Sequence, residues 1–171
     1  MPVIEIGAEN PLQDGRQSER ALAIQRGMIR HLETLGMAVL SEFPLANGRR
    51  ADLLALDRKG LFLIVEIKSS IEDFRVDRKW TEYADYCDRF LFATGHHVPP
   101  DIFPESEGLY IADEYGAHPV REPEESKLAG ATRKALTLRF ARLAARRAER
   151  ISRFTLANLG ELPARSDSEE F

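Results

Sequence analysis

The eight residues from Leu61 to Lys68 constrain the fold more than any other segment of the chain. They read Leu-Phe-Leu-Ile-Val-Glu-Ile-Lys, so the run is apolar until it ends in a carboxylate and an ammonium two residues apart. A short continuous apolar run is typical of a strand that is buried on both faces of a sheet. Because side chains alternate along a strand, Glu66 and Lys68 project from the same face. Burying either charge without a partner is costly, so the pair predicts a polar site at the strand end.

The loop before this strand sets its register against the preceding strand. A three-residue loop, Arg58-Lys59-Gly60, with its glycine in the left-handed conformation, would pair Asp57 with Leu61. That register puts Asp52 opposite Glu66, and directly opposed residues have Cβ atoms about 5 Å apart. Two carboxylates at that separation repel unless a cation or a proton lies between them, so we expect both to bind a divalent metal. Oxygen ligands favour a hard ion, Mg²⁺ or Mn²⁺, over zinc.

The rest of the chain predicts an α/β fold with an αβββαβ core, in which a mixed central sheet is flanked by helices and a long C-terminal helix follows. The first helix has Ser18 as its candidate N-cap, carries Leu22, Ile29, Leu32 and Leu35 on one apolar face, and ends at Gly36. The predicted helices are 17–35, 71–86 and 131–156, and the predicted strands are 38–43, 51–56, 61–68, 89–93, 109–112 and 117–121.

Length, charge and cysteine content limit the number of domains, the kind of partner and the cellular compartment that we expect. The chain has 171 residues, and we predict an N-terminal extension at 1–15, one domain at 16–157 and a disordered tail at 158–171. The net charge is -4, so binding to a polyanion requires a local basic patch. With one cysteine, no leader pattern and no apolar run of membrane-spanning length, we expect a soluble, cytoplasmic protein with no membrane partner. The oligomeric state is left open.

Lys68 and a set of basic residues extend the predicted site. Beside a metal ion, Lys68 can hold an attacking water or offset charge on a phosphoryl oxygen, which matches metal-assisted hydrolysis of a phosphodiester. The last helix carries arginines from Arg139 to Arg153 on one stripe, which is either a track for phosphates or an ordinary solvated face. The residues expected to contact substrate, or to flank the site, are Arg49, Arg50, Arg75, Arg78, Lys79, Tyr83, Arg139, Arg142 and Arg146.

Asp52, Glu66 and Lys68 resemble the signature of the PD-(D/E)XK nuclease superfamily, in which an Asp ends one strand and Glu or Asp, any residue and Lys follow on the next. The resemblance implies a restriction-endonuclease-like core. It also implies a further acidic metal ligand from the first helix, for which Glu19 is the best-placed candidate and Glu33 the alternative. An acid in the first turn of a helix also favours the helix dipole, which is the alternative interpretation of Glu19.

The helix after the signature offers a weaker likeness. Some superfamily members carry Gln, three residues and then Tyr there, and this chain has Lys79 and Tyr83 at that spacing, with Lys in place of Gln. The alternative is that Tyr83 is a core residue covered by the Lys79 stem. Trp80 and Cys87 are interpreted as core residues and the pair His96-His97 as solvated, so no role is assigned to them.

Several longer segments resemble the MmcB family of bacterial DNA-repair proteins. They are Gly48–Asp52, Val65–Ser70, Asp73–Arg75, Lys79–Trp80 and Tyr86–Phe90. The resemblance implies DNA as partner, together with other repair proteins. The predicted function is a metal-dependent DNA endonuclease or exonuclease acting in repair, and the alternative is a non-catalytic DNA-binding or partner-binding module that keeps the fold. A small-molecule hydrolase is disfavoured because the sequence has no Gly-rich phosphate loop, nucleophile elbow or His base.

Overall fold

The structure, a computed structural model, describes residues 18–77 and 79–160 and divides the chain into two compact units, one up to Leu128 and one from Ala129. The first unit contains a six-stranded sheet with its strands in chain order. These are β1 (Ala38–Pro44), β2 (Arg50–Leu56), β3 (Phe62–Lys68), β4 (Arg89–Thr94), β5 (Gly108–Ala112) and β6 (Ala117–Arg121). Its helices are α1 (Glu19–Thr34), α2 (Ile71–Val76) and two 3₁₀ helices, Trp80–Tyr86 and Pro100–Ile102. The second unit contains α3 (Gly130–Gly160).

The sheet is mixed, as predicted. Strands β1, β2 and β3 pair antiparallel as a meander, β4 and β5 are parallel to β3, and β6 returns antiparallel to β5. The parallel pairing of β3 with β4 confirms the crossover expected from the element order. β3 is buried at every position, since both of its edges are paired and both of its faces are covered.

The β2–β3 hairpin has the predicted loop. The N–H of Asp57 donates to the carbonyl of Leu61 at 3.0 Å, and Gly60 has a φ of +84°, in the left-handed region that favours glycine. The Asp57 carboxylate accepts hydrogen bonds from the N–H groups of Lys59 and Leu61, which stabilises the turn. The ladder pairs Leu53 with Val65, so its continuation by one residue places Asp52 opposite Glu66.

Helix α1 begins and ends where predicted, but the centre of its buried face differs. The Ser18 side chain accepts from the N–H of Ala21 at 3.2 Å, and Gly36 follows the helix with a φ of +75°. Its fully buried side chains include Ile24 and Met28, which pack against β2 to β5. Of the predicted face of Leu22, Ile29, Leu32 and Leu35, Leu32 is buried as expected, Leu22 and Ile29 lie at its two sides and are half-buried, and Leu35, which follows the helix, is exposed.

The predicted helix 71–86 is wrong as a single element. Helix α2 ends at Val76, and a separate 3₁₀ helix starts at Trp80. Asp77 between them is extended, with φ -86° and ψ 100°, and its carboxylate accepts hydrogen bonds from the Lys68 ammonium and the Lys79 N–H. Both bonds hold the chain out of the helical conformation, because an aspartate that bonds locally to backbone competes with a helix.

The two faces of the sheet have different coverings. α1 packs on the face that carries Leu53, Val65 and Leu91. The other face is covered by aromatic side chains, which are Phe74, Trp80, Tyr83 and Phe103 against Phe90 and Phe92. Side-chain alternation puts Asp52, Glu66 and Lys68 on this aromatic face.

Helix α3 runs to residue 160, so the residues from 158 to 160, which were predicted as tail, are helical. The predicted extension at 1–15, the rest of the predicted tail and Arg78 lie outside the described residues. Within the described part of the chain, no helix combines the length and hydrophobicity that crossing a bilayer demands.

Candidate active site

Asp52 and Glu66 are each bonded to the strand that carries the other. The N–H of Asp52 donates to Glu66 Oε1 at 3.3 Å, and the N–H of Ile67 donates to Asp52 Oδ2 at 2.7 Å. The carboxylates thus replace the regular ladder at the strand ends, where the strands separate. This arrangement confirms the predicted register and the common face.

Both carboxyl groups hold their protons more tightly than usual. Burial is the main reason that the pKa of Asp52 is raised to about 6, and the nearby charges of Glu42 and Asp73 act in the same direction. Burial and the charge of Asp52 raise the pKa of Glu66 well above its ordinary value. Lys68 and the backbone hydrogen bonds oppose these shifts without cancelling them. Two buried acids that repel each other are a typical setting for a bound cation.

Lys68 is a buried cation with two acidic neighbours. Its Nζ donates to Asp77 Oδ2 at 2.6 Å and lies 3.7 Å from Glu66 Oε2. Burial disfavours its charge, but the hydrogen bond to Asp77 and the charge of Glu66 outweigh burial, so the pKa of Lys68 is raised. The pKa of Asp77 is lowered, since its bonds to Lys68 and to the Lys79 N–H outweigh its own partial burial. Lys68 is therefore held in its protonated form.

The end of β3 borders an open cleft of about 530 Å³. Its polar lining comes from the start of α1, the ends of β2 and β3 and the start of α2, and includes Ser18, Asp52, Glu66, Lys68, Ser69, Ser70, Glu72 and Asp73. Thr94 at the end of β4 and His97 in the following loop fix this rim, because the Thr94 hydroxyl donates to the Lys68 carbonyl at 2.7 Å and His97 Nε2 lies 2.6 Å from the Ser69 carbonyl. The cleft is acidic, with Lys68 as its one basic lining residue among those described.

Glu19, the predicted third metal ligand, is not brought to the two carboxylates. It is exposed in the first turn of α1, which packs on the opposite face of the sheet, and it does not line the cleft although Ser18 and Ala21 do. Glu33 is exposed near the far end of the same helix. Across residues 18–77 and 79–160, no three His, Cys, Asp or Glu side chains are grouped to hold a metal. A metal-ligand role for Glu19 stays a prediction.

Two of the predicted substrate-binding residues of the first unit are ion-paired. Arg49 binds the Glu82 carboxylate through two bonds, and Arg50 Nε lies 2.5 Å from Glu42 Oε2. Arg75 and Lys79 are exposed. Lys79 precedes the 3₁₀ helix, so its predicted i, i+4 relation to Tyr83 on an α-helix was wrong.

Tyr83 is a buried residue that also borders the carboxylates. Its hydroxyl donates to the Arg50 carbonyl at 3.1 Å, and its ring stacks on Phe90. Burial, together with the charges of Glu66 and Asp52, raises the pKa of its phenol. Tyr83 therefore remains a neutral hydrogen-bond donor beneath the site.

Arg139, Arg142 and Arg146 are exposed along α3, as are Arg150 and Arg153. Arg153 forms an ion pair with Glu149 on the same helix. That this stripe faces the cleft stays a prediction.

Three acidic residues at or beside the site were missed from the sequence. Asp77 had a detectable signal, because aspartate is a poor helix-interior residue and the pattern Asp-x-Lys suits a local side-chain bond to the backbone. Glu42 and Glu82 had none, since their partners Arg50 and Arg49 are brought near them only by the packing of the sheet and the 3₁₀ helix.

The fold and the site define an α/β protein in which a half-buried Asp near the start of one central strand lies beside a buried Glu and Lys at the end of its antiparallel neighbour. The family described as DNA repair protein MmcB-like matches residues 8–155. The chain belongs to this MmcB-like family of DNA repair proteins, as its segments predicted. A similar solved structure is the SPO1766 protein of unknown function from Silicibacter pomeroyi, with 40% identity and a TM-score of 0.76 over 80% of this chain and 93% of that chain. No curated protein matches the chain.

Proposed function

We propose that this protein is a divalent-metal-dependent nuclease of the PD-(D/E)XK type that hydrolyses the DNA backbone during repair. Asp52 and Glu66 carry the proposal, because Glu66 is buried and Asp52 half-buried, the two share a face at the end of the strand pair, and both have raised pKa values. Two neighbouring desolvated acids lower the stability of a fold. Their presence therefore indicates a functional role, such as binding a cation.

The donor set suits a magnesium-type ion. Carboxylate oxygens are hard ligands, and such ions are often held by one or two carboxylates, with water and substrate phosphate completing the shell. Asp52 and Glu66 would hold the ion, which when bound supplies Lewis-acid stabilisation of negative charge on a phosphoryl oxygen.

Lys68 supplies a fixed positive charge next to the carboxylates. Because its raised pKa keeps it protonated, it acts by donating hydrogen bonds to an attacking water or to a phosphate oxygen rather than as a general base. Asp77 orients the ammonium, and Thr94 and His97 fix the backbone from which the lysine projects. Held in place before substrate arrives, such a charge stabilises a transition state without reorganisation.

A second candidate is a DNA-binding or partner-binding module that keeps the fold without cleaving. It is favoured by one observation, which is that the described residues group no third acidic ligand with Asp52 and Glu66. In this case the raised pKa values of Asp52 and Glu66 would reflect only their burial, and no bound cation would stabilise the ionised carboxylates.

Incubation with a panel of labelled DNA structures in manganese separates the two candidates. The panel holds duplex, single-stranded, branched and gapped DNA, and wild type is compared with Asp52→Asn, which keeps a carbonyl oxygen for the Ile67 N–H. We expect cleavage of at least one structure by wild type and none by the variant. Equal cleavage by both proteins would place the activity elsewhere or in a contaminant. No cleavage of any structure, with DNA binding intact, would favour the module.

A further inference from the structure

Arg49 presents a planar charged group whose partner is easily exchanged. Its Nε and Nη2 bind the two oxygens of Glu82 at 2.8 and 3.1 Å, while 29% of the Arg49 side chain and 46% of the Glu82 side chain are exposed. The Arg49 backbone is held separately, by the Asn47 side chain and the Leu45 N–H. The side chain can therefore change partner without disturbing the β1–β2 loop.

Arg50 forms a second ion pair, with Glu42. Its Nε lies 2.5 Å from Glu42 Oε2, and 53% of the Arg50 side chain but only 12% of the Glu42 side chain is exposed. Glu42 is the one non-glycine residue among those described with a positive φ, at 49°, a conformation that costs free energy for any residue with a Cβ. The Arg50 backbone also has its own anchor, since its carbonyl accepts from Tyr83. A strained acidic residue on an exposed arginine indicates a functional rather than a stabilising pair.

We infer that Arg49 and Arg50 are two phosphate subsites at the rim of the site, each occupied in the free protein by a carboxylate that the backbone of a nucleic acid must displace. A carboxylate bound to a guanidinium through two oxygens occupies the positions that two phosphate oxygens take, because both groups fit the same planar fork. Exposed ion pairs contribute little to stability, so replacing the exposed Glu82 carboxylate by a phosphate costs little free energy.

The position of the pair identifies the ligand as a phosphate backbone rather than a free anion. Arg50 begins the strand on which Asp52 lies two residues further, so a chain of phosphates that meets both arginines continues toward the carboxylates. The cleft itself is acidic, and it repels a polyanion unless basic residues at its rim bind the neighbouring phosphates. Glu42 and Glu82 thus weaken the binding of single anions. Ligands that offer several phosphates at once can displace both carboxylates.

The test is DNA affinity without metal, so it does not depend on cleavage. Fluorescence anisotropy of a short labelled DNA, as duplex and as single strand, is measured in EDTA over a range of salt for wild type, Glu82→Gln and Glu42→Gln. We expect each variant to bind about three- to fivefold more tightly at low salt, with a log–log salt slope steeper by up to about 1. Glu82 is exposed, so its variant keeps the test valid if Glu42→Gln unfolds.

Two controls separate release of an arginine from general charge. Glu125→Gln removes the same charge from an equally exposed pair with Arg89, at the opposite end of the parallel strands, and should change affinity less. In an Arg49→Gln background, Glu82→Gln should bring no gain beyond that of Glu125→Gln. Unchanged or weaker affinity in the two acidic variants, a gain equal to that of Glu125→Gln, or no DNA binding by any variant would overturn the inference.

Discussion

The Lys68 ammonium and the Asp77 carboxylate form a 2.6 Å hydrogen-bonded ion pair at the point where the chain leaves helix α2. Lys68 ends the central strand, and Asp77 stands nine residues later, after a short helix that begins at its Ser70 N-cap. The pair closes this segment into a loop and holds the ammonium beside Glu66. This contact therefore helps to end helix α2 and orients the only cation that lines the described cleft.

Asp77→Asn should lower both stability and order at the site. It keeps an oxygen for the Lys79 N–H but removes the charge that compensates buried Lys68, so we expect a loss of about 1 to 3 kcal/mol in urea unfolding. The exposed Glu105→Gln serves as the control for loss of one negative charge. A variant as stable as wild type would show that solvent compensates Lys68.

Metal-free protein should lose stability as pH rises from about 4 to above 6. The folded-state pKa of Asp52, about 6, and that of Glu66 are raised above their ordinary values, so the folded state binds more protons than the unfolded state in this window. Protonation of the pair stabilises the fold at low pH, and this contribution is lost as pH rises through the folded-state pKa values.

Unfolding in urea with EDTA at several pH values measures this effect. Asp52→Asn should reduce the fall in the free energy of unfolding between low and high pH by on the order of 2 to 3 kcal/mol. The exposed Asp85→Asn should show the same fall as wild type. If the stability of Asp52→Asn falls with pH as steeply as that of wild type, the Asp52 carboxylate is not the source of the pH dependence.

Loss of either carboxylate should weaken metal binding without weakening DNA binding. Asp52→Asn or Glu66→Gln removes a negative charge, so Mn²⁺ affinity in calorimetry should fall, while metal-free DNA affinity should hold or improve because phosphate repulsion is reduced. The charge control is Glu105→Gln, which is exposed. Unaltered Mn²⁺ affinity in both variants would show that Asp52 and Glu66 do not bind the metal.

Lys68→Ala should separate metal binding from turnover. The ammonium is not a ligand, so Mn²⁺ should still bind, and possible repulsion between the two cations is removed. Cleavage should fall by on the order of 100-fold if the charge stabilises the transition state. The exposed Lys59→Ala in the β2–β3 loop is the matched control. Wild-type turnover in Lys68→Ala would mean that the lysine is structural.

The α3 arginines should contribute to DNA affinity if they follow the backbone. Replacing Arg142 and Arg146 together by Gln should flatten the slope of log affinity against log salt by about 2. The double replacement of Arg26 and Arg30 on α1, both exposed, removes the same charge elsewhere. An equal slope in the two double variants would make the stripe an ordinary solvated face.

Local rules were sufficient to predict the centre of the site. A three-residue loop with a left-handed glycine allows one register, and strand alternation then puts Asp52, Glu66 and Lys68 on one face. The element order followed from hydrophobic period and the crossover rule. The same rules placed the buried face of α1 only to within one residue, because a helix face is broad.

What the sequence by itself determined was therefore the register of β2 on β3, the order of the elements and the family. The tertiary structure decided where α2 breaks, that Ser18 and Ala21 rather than Glu19 line the cleft, and which acids hold Arg49 and Arg50. The physical reason is the separation along the chain between the residues that determine each feature. Register depends on a few consecutive residues, whereas an ion pair such as Arg49 with Glu82 joins residues that meet only after the sheet and the segments packed on it have assembled.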